Sequence, residues 1–443
     1  MSEARTHRHA LRGPVLHFLA DPGDDDQPIG GSVAYFEDGL ILIEDGLIRA
    51  VDHATHLIDA LPSNTTLDHY PDKLIMPGFI DPHLHFSQLD IIASYGRQLI
   101  DWLNTYTFPE EARFSDRDYA DTIAEAFITQ MLAHGTTTAL AFCTSHPNSV
   151  EALFTAANKR HLRMLAGKVL MDRNAPSNLC DTVEGGIKDS RALLKRWHGQ
   201  GRLEYALTPR FAPTSTPEQL AAAGQMLAEY PGIVMQTHLS ENKKEIEWVA
   251  SLYPEAKDYL DVYDRFGLLK ERSVFAHGIH INDDVRKRLR DAGGAIAFCP
   301  TSNLFLGSGL FDWRAARDQG VSVGIASDIG GGTSLSQLQT LQDAYKVCQM
   351  NGQSLPPWQA FYRLTRGNAQ MLGIDRYVGS FEQGHEADII VLDPASTPSL
   401  ARKEACGPTL EERLFNLMML GDDRSVCATY VMGRCLYGGP SPR

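Results

Sequence analysis

At 443 residues the chain exceeds a usual single domain, so one large domain with a smaller companion is expected. Its 43% hydrophobic and 22% charged residues are ordinary for a soluble globular protein. A formal net charge of −14 argues against nucleic acid or an anionic membrane surface as the main partner and suits a small, uncharged substrate better.

In chain order, Met1–His9 lacks the apolar core of a secretory signal, and no later run approaches the roughly 18 apolar residues of a membrane span. Residues 14 to 73 read as β-rich: Ser32–Phe36 and Leu40–Val51 are strand-like, with Glu44-Asp-Gly46 as a hairpin turn. The same character returns near the other end, at Gly379–Gly384, Ala387–Asp393 and Val426–Tyr437. Neither terminal portion carries a core of its own. Segments 1–74 and 376–443 are therefore expected to pair into one small β-sandwich, with 75–375 inserted between them.

The middle alternates strands with helices, the mark of parallel β/α architecture. Strand candidates are Leu74–Ile80, Thr136–Cys143, Met164–Met171, Leu203–Leu207, Ile233–Thr237, Ser273–Ala276, Ala295–Phe298 and Val321–Ala326. Helical spacing of apolar residues marks Tyr119–Ala133, Val150–Lys159, Ile187–Trp197, Pro217–Tyr230, Asp283–Ala292 and Leu335–Met350. Thr216 before Pro217 is an N-cap signal, while Gly135, Gly294 and Gly320 stand where helices should stop. This strand count favours an α/β fold of the (β/α)8 TIM-barrel kind over a doubly wound sheet. Two stretches, Phe86–Asp116 and Tyr253–Leu268, are too long for ordinary loops and should lie over the barrel's C-terminal face. Seven cysteines, with no Cys-x-x-Cys, read as reduced thiols in a cytoplasmic protein.

In such a barrel, chemistry sits at the C-terminal strand ends. His83 and His85 are spaced so that one strand aims both imidazoles at one point. Alone, His-x-His is a weak signal. The other strand ends, however, read Thr208-Pro-Arg-Phe211, His238-Leu-Ser-Glu241, His277-Gly278 and Ser327-Asp328. Burying so many ionisable groups without a common partner would cost several kcal/mol. Nitrogen and carboxylate donors together suit zinc, with iron and manganese left open.

The order His-x-His, His, His, Asp on strands one, five, six and eight resembles the amidohydrolase superfamily of metal-dependent hydrolases. His83-Leu-His-Phe-Ser-Gln88, Trp102–Phe114 with its Tyr-Thr-Phe-Pro core, Thr208–Phe211, His238–Asn242 and Cys299–Leu304 are similar to the guanine deaminases within it. That resemblance implies one Zn2+ held by His83, His85, His238 and Asp328, with His277 beside the water that the metal acidifies. It implies Asp328 as proton acceptor and Glu241 as the general acid toward the ring nitrogen. Gln88, Arg210 and Phe211 would hold the purine, together with His85, His238, Glu241 and Asp328, and the product would be xanthine. A single metal is implied because two-metal barrel deaminases carry a modified lysine at the fourth strand end, where this chain has Thr208-Pro-Arg210. The implied assembly is a homodimer, by analogy with barrels of this size.

Other residues are read more plainly. Lys168 should be structural, His280 should lie at the rim, and Cys143 and Cys299 should pack. Trp102 and Phe108 either close over the substrate or fill a subunit interface. Competing functions are deamination of another purine, a pterin or a triazine, and a catalytically silent barrel used for assembly. Silent relatives lose ligands, and here every one is present.

Overall fold

Eight short segments, buried almost throughout, pair side by side in chain order: Phe79–His85, Thr136–Phe142, Arg163–Gly167, Leu203–Pro209, Val234–Leu239, Ser273–His277, Ala295–Phe298 and Ser322–Ile325. All neighbouring pairs run parallel. In this computed structural model, which describes residues 7–96 and 99–440, the last strand's exit returns to the first. There the Asp328 N–H donates to the His83 carbonyl at 3.0 Å and the His85 N–H donates to the Ile329 carbonyl. The segment is a nearly closed (β/α)8 barrel. Residues 1–6, part of the stretch read for a signal peptide, lie outside the described residues.

Parallel neighbours require crossovers, and amphipathic helices supply them. Arg117–Ala133, Pro147–Lys159, Val183–Trp197, Pro217–Glu229, Asp283–Ala292 and Gln337–Met350 occupy the expected positions. Thr216 caps its helix by accepting from the Gln219 N–H. The stop after Asp283–Ala292 is Gly293, in the left-handed region at φ 74, rather than the adjacent Gly294.

Two strand expectations need correction. Leu74–Ile80 is not one strand: Leu74–Pro77 joins the second sheet, and the first barrel strand begins at Phe79. Gly78 makes the transfer. A Cβ there would sit 2.2 Å from Thr137 Oγ1, so only glycine lets the chain cross the second barrel strand so closely. Met164–Met171 is likewise interrupted, pairing as Arg163–Gly167 and then Val169–Leu170. Between them, the fully buried Lys168 forms an ion pair with Asp181.

The chain's two ends share one eight-stranded sheet. Leu74–Pro77 sits at its centre, flanked by Ile389–Leu392 and by Arg8–Phe18. Leu11, Val15, Ile41, Ile75, Ile389 and Tyr430 pack into one cluster drawn from both ends. The Glu44-Asp-Gly46 turn forms as expected, with Asp45 and Gly46 at φ 50 and 85. Among the described residues, no helix is long and apolar enough to cross a membrane.

Candidate active site

The barrel strands deliver their last side chains to one point. His83 Nε2 lies 3.2 Å from Asp328 Oδ1, and His85 Nε2 lies 3.6 Å from the same oxygen and 3.2 Å from His238 Nε2. His277 Nε2 is 3.8 Å from Asp328 Oδ2 and 3.5 Å from Glu241 Oε2. His83, His85, Glu241, His277 and Asp328 are at most 5% exposed, and His238 is partly buried. His277 and Asp328 both hold left-handed backbones, at φ 72 and 52, which non-glycine residues adopt at a cost. Such strain tends to gather where a side chain must be aimed for function.

The donor set fits a divalent cation. The donor atoms of His83, His85 and His238 all lie within 4.8 Å of one another, as do those of His83, His277, Cys299 and Asp328. Both nitrogens of His83 and Nδ1 of His85 are buried without a hydrogen-bond partner. Burial, then the neighbouring His83, pushes His85 and His238 well below the usual histidine range, which keeps their lone pairs free. Burial pushes Asp328 upward, but the adjacent His83 imidazole, then His277 and His85, prevail and hold it well below the usual carboxylate range. His238 Nδ1 donates to the Arg210 carbonyl at 2.7 Å, so its Nε2 carries the lone pair that faces the cluster.

Around this cluster, residues to which sequence reasoning assigned no role hold the functional side chains. The Ser302 hydroxyl donates to Asp328 Oδ2 at 2.6 Å, and Ser308 donates to Glu241 Oε1 at 2.8 Å. Asn303 Nδ2 donates to His277 Nδ1 at 2.9 Å, which leaves Nε2 as the proton-bearing nitrogen. Burial, then Glu245 and Asp328, pushes Glu241 well above the usual range, which favours its protonated form. Burial lowers His277 to about 4, leaving it neutral. Ser302 and Asn303 fall in the Cys299–Leu304 stretch that carried the resemblance, although no role was read for them, and no local pattern marked Ser308.

His85, Gln88, Arg210, Phe211, His238, Glu241, His277 and Asp328 line one cavity. Leu99, Trp102 and Leu103, from the stretch expected as lid, subunit contact or both, also line it. Trp102 and Phe108 belong to an apolar cluster with Phe142 and Phe211. His280 points elsewhere, its Nε2 bonding the Ser308 carbonyl at 2.9 Å. Cys143 packs as expected, and Cys299 is equally buried but stands beside the metal-capable cluster.

Comparison with known proteins gives this arrangement its relatives. A family model described as the amidohydrolase family matches residues 74–436. The guanine deaminase of Escherichia coli (strain K12) is 48% identical over 428 residues, covering 97% of each chain. The solved structure of E. coli guanine deaminase superposes with a TM-score of 0.94 at 46% identity, covering 97% of this chain and 99% of that one. The crystal structure of guanine deaminase from C. acetobutylicum with bound guanine in its active site gives 0.87 at 30% identity, over 97% and 100% of the two chains. This chain belongs to the amidohydrolase family and, within it, to the guanine deaminases.

Proposed function

We propose that this protein performs the zinc-dependent hydrolytic deamination of guanine, yielding xanthine and ammonia. One observation carries the reading. A cluster of donors fit for a cation and a carboxyl group pushed toward its protonated form share one cavity with an amide and a guanidinium suited to an oxo-purine.

His83, His85, His238 and Asp328 would hold one Zn2+, since the fourth strand end offers Thr208 and no lysine. When bound, the cation supplies Lewis-acid chemistry, making a water nucleophilic at neutral pH. Arg210 donates to the O6 carbonyl and Gln88 to the purine edge, turning C2 toward the strand ends. Phe211 packs against the ring. Glu241 gives its proton to N3 as the attacking oxygen bonds to C2, so the ring carries no negative charge. Asp328 takes the proton released by that oxygen, and His277 steadies the oxygen through Nε2–H. Asp328 passes its proton to the amino nitrogen, the C2–N bond breaks as the new C2 hydroxyl gives its remaining proton to Glu241 and becomes a carbonyl, and ammonia leaves.

A cytoplasmic, homodimeric enzyme completes the proposal. Seven free cysteines support the reducing compartment, and light scattering checks the assembly. The decisive assay follows the loss of guanine absorbance and the release of ammonia with purified protein. Guanine left untouched, while a pterin, a triazine or another purine is consumed, would overturn the substrate.

A further inference from the structure

The groups that would grip the purine do not stand alone. Glu111, on the short helix Phe108–Ala112, is fully buried, and its two oxygens accept from Arg210 Nη1 at 2.9 and 2.7 Å. Its Oε1 also accepts from Gln88 Nε2 at 2.9 Å. Gln88 follows the first barrel strand and Arg210 follows the fourth, so one carboxylate ties together both sides of the cavity. Phe108, on the same helix, lies 5.5 Å from the Arg210 guanidinium carbon, measured to its ring centre.

We infer that Glu111 is the positioning and charge-setting residue of the purine subsite, acting through Gln88 and Arg210. This inference rests on the guanine reading above. Two physical consequences follow. A carboxylate only accepts, so it orients the Gln88 amide with nitrogen toward Glu111, while the Gly330 N–H donates to Oε1 at 3.3 Å. One Nε2 hydrogen remains for the ligand. Arg210 is likewise held by one Nη, which leaves its remaining donors for an oxo group. The second consequence concerns charge. The buried pair of Glu111 and Arg210 is neutral as a unit, so the subsite receives a neutral purine without favouring an anion. Without Glu111, Arg210 becomes an uncompensated buried cation that attracts anionic purines.

The test uses the metal-loaded enzyme and two oxo-purine competitors: neutral hypoxanthine and urate, a monoanion near neutral pH. Glu111→Gln should raise KM for guanine by about tenfold to a hundredfold, the effect of losing a charged hydrogen-bond partner, with a much smaller change in kcat. The ratio of the urate to hypoxanthine inhibition constants should fall at least about tenfold. Glu111→Asp keeps the charge and should restore most of that ratio even where KM stays high. A folded Glu111→Gln enzyme with KM within about twofold of wild type, or an unchanged inhibitor ratio, overturns the role. Should Glu111→Gln fail to fold, Glu111→Asp carries the test: a shortened carboxylate that leaves KM unchanged overturns the inference. Wild-type protein that ignores guanine sinks the substrate reading instead, so the two failures are distinct.

Discussion

Glu241→Gln probes the proposed proton transfer most directly. The Glu241 carboxyl is buried, and its pKa is driven far up by burial, then by Glu245 and Asp328, which favours the uncharged acid. A neutral amide of the same shape therefore removes a transferable proton and no charge. The amide oxygen of the variant would still accept the Ser308 hydroxyl, which donates to Glu241 Oε1 at 2.8 Å in the wild type. Linkage sets the sign of the stability effect. An unfolded glutamate is ionised near neutral pH, so folding must take up a proton, and that cost grows as pH rises above the ordinary carboxyl range. The variant avoids it and should melt at the same temperature or higher. A positioned general acid contributes about 10²- to 10⁴-fold, so kcat should fall by that factor, equivalent to about 3–5 kcal/mol of barrier. KM and metal content should change little. Steady-state kinetics on guanine, elemental analysis and thermal unfolding together decide. A kcat within about tenfold of wild type would refute the proton-transfer role, and loss of metal would show that Glu241 is a ligand instead.

Three further outcomes are expected. Asp328→Ala should lower both the metal bound per chain and the rate, because Asp328 is placed to hold the cation and to take a proton; full metal occupancy with full activity would contradict this. Burial depresses the His9 pKa, but hydrogen bonds from His9 to Asp68 and to the Gly433 carbonyl outweigh it, so the folded value lies above 6.5. The stabilisation from His9 is complete below that ordinary value and is lost as pH rises through the raised one. The Tm advantage of wild type over His9→Gln should therefore shrink as pH rises above 6.5, and a constant difference would refute it. Gly78→Ala forces a Cβ to within 2.2 Å of Thr137 Oγ1 and 2.6 Å of its Cγ2. Urea denaturation should show a loss of about 1–3 kcal/mol, partly relieved by adding Thr137→Ala; no loss would mean that the crossing point can shift.

Much of the scaffold could be read along the chain. Apolar strand-like segments alternating with helical ones indicated the barrel, and the hairpin at Asp45-Gly46 was visible in its turn residues. The errors came where local pattern is silent. Leu74–Ile80 is uniformly apolar, and periodicity cannot say that Gly78 divides it between two sheets. That division depends on Asp388, whose carbonyl takes the Gly78 N–H at 2.9 Å from far along the chain.

The site divides in the same way. Strand-end histidines and Asp328 were readable by themselves, because alternation along a strand fixes which side chains share a face, and a parallel barrel puts all such ends together. The supporting shell was not. Glu111 finds Arg210, 99 residues further along the chain, and Ser308 finds Glu241, 67 residues before it. Nothing near Glu111 distinguishes it from Glu110, which instead accepts from Arg113 at 2.9 Å. Sequence alone decided which groups could do chemistry. Packing decided which of them are held, protonated and aimed, because a hydrogen bond between distant segments exists only once both are fixed against a common core.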